Sequence, residues 1–378
     1  MKRAIFYGYT CVLFGMTIFS YAFVDPNFFY LRNPYRNIQF DHRQLITAIY
    51  ILFIVALFAC YFFFIKMYTM SQLSIKEIKW LIGLTIVGLI FSYPAMLSYD
   101  IFNYMATARV TYFYKENPYV VMPIEFTGDP LLQFTHAANK VALYGSVWIL
   151  LTFFPYLLGS GSYLATMFIF KVFIVVFFVA TVWLLLKITN EWYSTLLFAL
   201  NPLVVIETFV SGHNDIVMMF FALFSFYFLH SKRRLVGLIF LVLSILIKYA
   251  TVFLVPVFLY VFWQQYKGRK IHWKKTAFLS GIAMFTIFLL SPIREEMYPW
   301  YFIWPFAFSV FLFKKKILIY SMIALSAGLM LRYTPFMLFG THFGSTPLIK
   351  ILVTFVPLGV FLLFFLLRQK TWQNIFSH

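Results

Sequence analysis

The sequence predicts an all-α polytopic membrane protein, with about twelve transmembrane helices and one interfacial helix inside a large outer loop. Three observations carry this. Of the 378 residues, 63% are hydrophobic and 23% aromatic. Only 11% are charged, where a soluble domain carries about 25%. Apolar runs recur from end to end, and a ~30 Å hydrocarbon core needs roughly 20 such residues per helix. A soluble enzyme of this size has too little interior for so much apolar surface, so that class is excluded.

The elements follow in order. Ala4–Val24 is long enough to span and continues as a polytopic pattern, so it reads as a helix and not as a cleaved signal. Leu45–Ile65, Lys79–Leu97, Tyr163–Leu186, Tyr193–Val210 and Asp215–His230 come next. The remaining runs are Leu235–Ile247, Tyr249–Trp263, Thr276–Pro292, Trp300–Phe313, Ile317–Tyr333 and Pro347–Leu367. Residues 1–378 thus form a single transmembrane unit, with 98–145 as its outer loop. Two cysteines, Cys11 and Cys60, both sit in apolar runs, so no disulfide framework is readable.

Charge placement sets the orientation. Read as a hairpin turning near Lys248, Leu235–Trp263 puts Lys232 to Arg234 and Lys267 to Lys275 on one side. The positive-inside rule favours that over one long helix. Ser146–Leu158 reaches only ~20 Å as a helix, so it reads as a partly inserted outer segment. The inner side then carries 19 of the 30 basic residues and two acids, Glu77 and Glu191. Net charge divides as +17 inside against +1 outside, with both termini cytoplasmic. A net charge of +18 therefore reflects topology, and no nucleic acid is expected.

The polar chemistry collects on the outer face rather than at the midplane, where a transport pathway would place it. Asp100 opens an amphipathic helix, in which Asp100, Asn103, Tyr104, Thr107 and Thr111 share one face. Asp100 alone could equally be a helix cap. Glu207, His213, Asn214 and Asp215 cluster where two spans meet, either lining a site or forming a satisfied polar turn. Lys248 stands alone in an apolar segment, placed to snorkel or to bind a lipid phosphate. Arg294 and Arg332 suit phosphate oxygens. Tyr298 and Trp300 fit an interfacial aromatic belt or a sugar platform. No phosphate-cradling glycine loop, HExxH, CxxC or GxSxG pattern is present.

At this point the chain resembles the GT-C superfamily of integral-membrane glycosyltransferases, and within it the polyprenyl-phosphate-mannose-dependent mannosyltransferase-like bacterial members. The residues that carry the resemblance are Asp100 and Tyr104, Asn117-Pro118-Tyr119, and Tyr144-Gly145-Ser146-Val147-Trp148. Asn201-Pro202-Leu203, Gly212-His213-Asn214-Asp215, Lys248 and Pro299-Trp300-Tyr301 complete it. The resemblance implies an inverting transfer of a hexose, mannose foremost, from a polyprenyl-phosphate donor on the extracytoplasmic face. An acceptor hydroxyl on a glycan, glycolipid or polymer is deprotonated by the residue matching Asp100. Lys248, Arg294 and Arg332 would hold the donor phosphate. Tyr104, His213, Asn214, Asp215, Tyr298 and Trp300 would meet the sugar or acceptor. The partners are thus a lipid-linked donor, a glycan acceptor and membrane lipid.

Two departures from the family pattern matter. Asp100 is flanked by Tyr99 and Ile101, where many members carry paired acids, so no cofactor is expected and a divalent metal lacks that support. Tyr-Gly-Ser replaces the frequent Tyr-Gly-Pro at 144–146. Against the enzyme stand a transporter or flippase without catalysis, a lipid-binding scaffold, and an O-acyltransferase leaning on His213. A transporter would show repeats with broken helices in matching halves, and no such correspondence is evident.

Overall fold

Amides in apolar surroundings are satisfied only within their own segment, and every regular element among the described residues is helical. The protein's structure is a computed structural model describing residues 2–25, 28, 30–31, 37–129, 132, 134–294 and 296–367. The chain begins with α1 (Lys2–Ser20), a short α2 (Ile38–Asp41), α3 (Arg43–Thr69), α4 (Ile75–Leu89) and α5 (Asp100–Tyr112). Then come α6 (Ser146–Leu151), α7 (Phe153–Leu158), α8 (Tyr163–Thr189), α9 (Trp192–Ala199) and α10 (Pro202–Val205). A π-helical turn over Ile206–Val210 leads into α11 (Asp215–His230), α12 (Arg234–Ile245), α13 (Val255–Tyr266) and α14 (Trp273–Arg294). The last are α15 (Ile303–Ser309), α16 (Lys316–Leu331), α17 (Thr334–Phe339) and α18 (Thr346–Leu367).

Six helical stretches are long and apolar enough to cross a membrane: Lys2–Phe23, Arg43–Thr69, Tyr163–Thr189, Trp273–Ile293, Lys316–Phe339 and Thr346–Leu367. The protein is a multi-pass membrane protein. Trp192–Ala199 and Pro202–Val210 make a seventh if this pair, bent by 57°, counts as one span. The bend has a local cause. Asn201 accepts from the backbone N–H of Leu203 at 3.0 Å and caps a fresh start at Pro202. The other expected spans also fall on helices, but short or interrupted ones such as α11 (16 residues) and α12 (12 residues). Length and composition therefore support six or seven crossings directly, fewer than the twelve expected.

The segment from Leu235 to Trp263 doubles back. Arg234 Nε, at its start, donates to Gln265 Oε1, at its end, at 3.2 Å. The turn lies at Leu246–Lys248, and the outer segment α6 is clamped to it. Gly145 N–H donates to Ile247 O at 3.1 Å, and Val147 N–H to Leu246 O at 2.9 Å. The approach is so close that a Cβ on Gly145 would stand 2.1 Å from the Leu246 carbonyl oxygen.

The helix opened by Asp100 is present, but it is not open along one face. Ile101, Phe102, Tyr104, Met105, Thr107 and Val110 are all buried. Pro118, Val121, Pro123, Thr135 and residues 140–144 fold over the Asn103–Thr107 side and line a cavity with it. Amphipathic spacing exposes which residues share a face, not what later chain covers it.

Gly145→Ala should destabilise the protein by about 1–3 kcal/mol, the scale of overpacking. It should also lower activity, because the displaced turn carries Lys248. A thermal-melt comparison in detergent checks the first effect, and an unchanged melting temperature would show that the contact yields freely.

Candidate active site

The Gly212–Asp215 turn brings the polar residues together. Gly212 adopts φ +73°, a left-handed conformation that L side chains rarely take. That sharp reversal joins the π-helical turn to α11 and aims His213 and Asp215 in different directions. Both are fully buried.

His213 lies between two carboxylates. Its Nδ1 stands 3.3 Å from Asp100 Oδ2, and its Nε2 stands 3.4 Å from Glu207 Oε2. Glu207 in turn accepts from the Tyr333 hydroxyl at 2.8 Å. The imidazole stacks on Trp300 at 3.9 Å, and Trp300 stacks on Tyr298 at 4.4 Å. Burial alone would depress the His213 pKa. The facing Asp100 and Glu207 carboxylates outweigh it and push the group up to about 9. Burial likewise tends to raise Asp100, yet His213 and Lys248 hold its carboxyl below the usual range. Asp100 is thus kept ionised, and its side chain remains 24% exposed. It is the first residue inside α5, and no side-chain cap bond is made at that helix start.

A second cluster is closed. Lys248 Nζ donates to both carboxylate oxygens of Asp215 at 3.0 Å, and Trp304 Nε1 donates to Asp215 Oδ1 at 2.6 Å. The ammonium also lies 4.7 Å from the Tyr301 ring centre. Lys248 therefore pairs inward, and two of its three donors are committed. Tyr104, expected at the sugar, is a buried strut whose hydroxyl accepts the Asn214 N–H at 3.2 Å. A third cluster joins Arg332 to Glu296 at 3.0 Å, and Lys350 reaches the same carboxylate oxygen at 2.8 Å. Arg294 ends α14, and its side chain lies outside the described residues.

The unmet polar atoms show where something else could bind. Both side-chain polar atoms of Asn214, Trp300 Nε1 and Arg332 Nε are buried without a hydrogen-bond partner. Buried polar groups are normally satisfied, so the unmet atoms of Asn214 and Trp300, which flank His213, mark groups left for a bound molecule rather than a finished core. Among the described residues no group of three His, Cys, Asp or Glu side chains is arranged for a metal ion. Asp100 and Glu207 face opposite nitrogens of one ring, so the trio cannot converge on one ion.

Sequence reasoning placed Glu207 in the polar cluster without a catalytic or binding role of its own, and it passed over Tyr333, Lys350 and Lys171. Lys171 is fully buried within α8 and donates to the Ser92 carbonyl. A lone lysine in an apolar span was the available signal for both lysines.

The sequence model of one family, described as alpha-(1->6)-mannopyranosyltransferase, N-terminal domain, matches residues 6–265. The chain belongs to this family. No curated protein and no solved structure matches it. The mannopyranosyltransferase match takes in Asp100, Tyr104, Glu207, the 212–215 turn and Lys248. Tyr298, Trp300, Arg332 and Lys350 lie beyond it. The resemblance to mannosyltransferases read from the short motifs is thereby borne out, and family membership supports transfer of mannose from a sugar donor to a glycan acceptor.

His213 makes the fold pH-sensitive in a definite direction. Its folded pKa of about 9 lies above the ordinary 6.5. The pairing therefore stabilises fully below pH 6.5 and is lost as pH rises through about 9, a span worth up to ~3 kcal/mol. The melting-temperature gap between the wild type and His213→Gln should be largest at pH 6 and shrink above pH 9. A gap that stays constant with pH would overturn the assignment.

Proposed function

We propose that this protein moves a mannose from a polyprenyl-phosphate donor to an acceptor hydroxyl, with inversion, on the extracytoplasmic face. The observation that carries the reading is Asp100, an ionised and part-exposed carboxylate opposed to His213, which Asn214 and Trp300 flank with unmet polar atoms. Glycosyl transfer needs a base positioned at the acceptor oxygen, an effect of about 10²–10⁴-fold. Asp100 takes the acceptor proton as the oxygen attacks the anomeric carbon, and the carbon–oxygen bond to the phosphate breaks on the opposite side. His213, fixed by Glu207 and the Trp300 ring, holds Asp100 in place and ionised.

The leaving lipid phosphate gathers charge that fixed cations stabilise. Arg332, with its free Nε, and the third donor of Lys248 are suited to that task. Asn214, Tyr298 and Trp300 offer the sugar a hydrogen-bonding amide and a stacked aromatic wall. Charge distribution supports an outer placement of this end, with the short and broken helices completing about twelve crossings and α5 near the interface. In this reading the architecture is of the GT-C type.

Two results test the proposal. Purified protein offered radiolabelled polyprenyl-phosphate mannose and a mannoside acceptor should transfer the sugar, and Asp100→Asn should lose at least ~10²-fold while remaining folded, its melting temperature lowered only by the weakened His213 pairing. Normal turnover in that variant removes Asp100 as the base. Arg332→Gln should raise the KM for the lipid donor more than for the acceptor, and an equal effect on both would remove it from the phosphate.

A further inference from the structure

One cavity has no part in the proposed chemistry. It holds about 430 Å³, within the ~300–1,000 Å³ typical of small-ligand sites. Lys274 and Lys275, at the start of α14, line it together with Lys314 and Lys315, from the turn before α16. The rings of Phe278, Phe311 and Phe313 form its walls. α14 runs 22 residues, roughly 33 Å as a helix, from these lysines to Arg294, a few residues before the Tyr298–Trp300 stack in sequence. The pocket is therefore a helix length from the candidate active site, at the end the charge pattern assigns to the cytoplasm.

The four lysines are exposed to solvent and together leave a cluster of like charge open to an anion. Two lysine pairs about forty positions apart in sequence converge on one hollow, and no carboxylate lines it. Among the described residues none of the four forms an ion pair with an acid; Lys315 rests instead over the Phe278 ring at 5.2 Å. Membrane topology requires positive charge in inner loops. It does not require that charge to meet around a phenyl-walled cavity. A ligand that answers both features carries negative charge at one end and hydrocarbon at the other.

We propose that this pocket binds an anionic glycerophospholipid, its phosphate on the four lysines and its glycerol and upper acyl segments against the three phenyl rings. Basic pockets between membrane helices recognise such headgroups by charge. Choline phospholipid, bearing a compensating cation, would gain little there. The bound lipid would brace the start of α14 against the turn before α16, far from the reacting atoms.

The test uses full-length protein, delipidated in detergent and titrated with phosphatidylglycerol or phosphatidylcholine while binding is read by native mass spectrometry. A Lys274→Gln/Lys275→Gln/Lys314→Gln/Lys315→Gln variant runs in parallel. The expected result is at least ~10-fold weaker phosphatidylglycerol binding in the variant, equal phosphatidylcholine binding, and loss of the salt dependence seen in the wild type. Equal phosphatidylglycerol binding in both proteins overturns the proposal. Displacement of the lipid by millimolar inorganic phosphate also overturns it, in favour of a free-anion site. Each lysine pair mutated alone gives the same readout in smaller measure should the fourfold variant fail to fold.

Discussion

The carboxylate of Asp215 is the constraint on which the rest of the site depends. It is fully buried at the first turn of α11, where an unpaired charge would cost several kcal/mol. Lys248 and Trp304 relieve that cost. Doing so ties three distant parts of the chain: the Gly212–Asp215 turn, the tip of the α12–α13 hairpin, and the aromatic segment beginning at Pro299. The outer helix α6 joins the same knot through its backbone bonds to Leu246 and Ile247. A rigid base for His213 follows from satisfying one buried acid.

Against that frame the neighbouring groups divide by how well they are satisfied. Asp215, Lys248 and Tyr104 have their partners inside the protein and act as struts. Asn214 and Trp300 keep buried polar atoms without partners, and they flank His213, whose partner Asp100 remains part-exposed. The electrostatics run the same way: His213 shares its positive charge between Asp100 and Glu207, so Asp100 stays ionised although most of its side chain is shielded from solvent. A site prepared for a sugar needs both halves, since donors held loosely would relax onto one another. Arg332 and Lys350 share a single oxygen of Glu296, which leaves that corner with more positive charge than its own acid balances.

Much of the fold could be read along the chain because helix formation in an apolar medium is local. Each expected span falls on a helix, and the turn at Lys248 was marked by charge alone. The short Gly212-His213-Asn214-Asp215 motif pointed to the right place, since a glycine followed by three polar residues between apolar runs has few other uses. Lengths were less legible. Asn201 and Pro202 break one run with a cap, and other runs are cut short by turns whose cost is met by contacts remote in sequence. Tyr333 and Lys350 carried no pattern at all, being single polar residues in apolar stretches.

The sequence by itself determined a multi-pass helical membrane protein, the family to which it belongs, and Asp100 with the 212–215 turn as the residues to examine. Those properties depend on composition, periodicity and short motifs, which are fixed within a few turns of chain. Only the tertiary structure decided which polar groups are spent and which are free. Lys248 and Asp215 stand 33 positions apart, and Asp100 and His213 more than a hundred. Pairings across such separations are set by how helices pack, and nothing in local spacing encodes them.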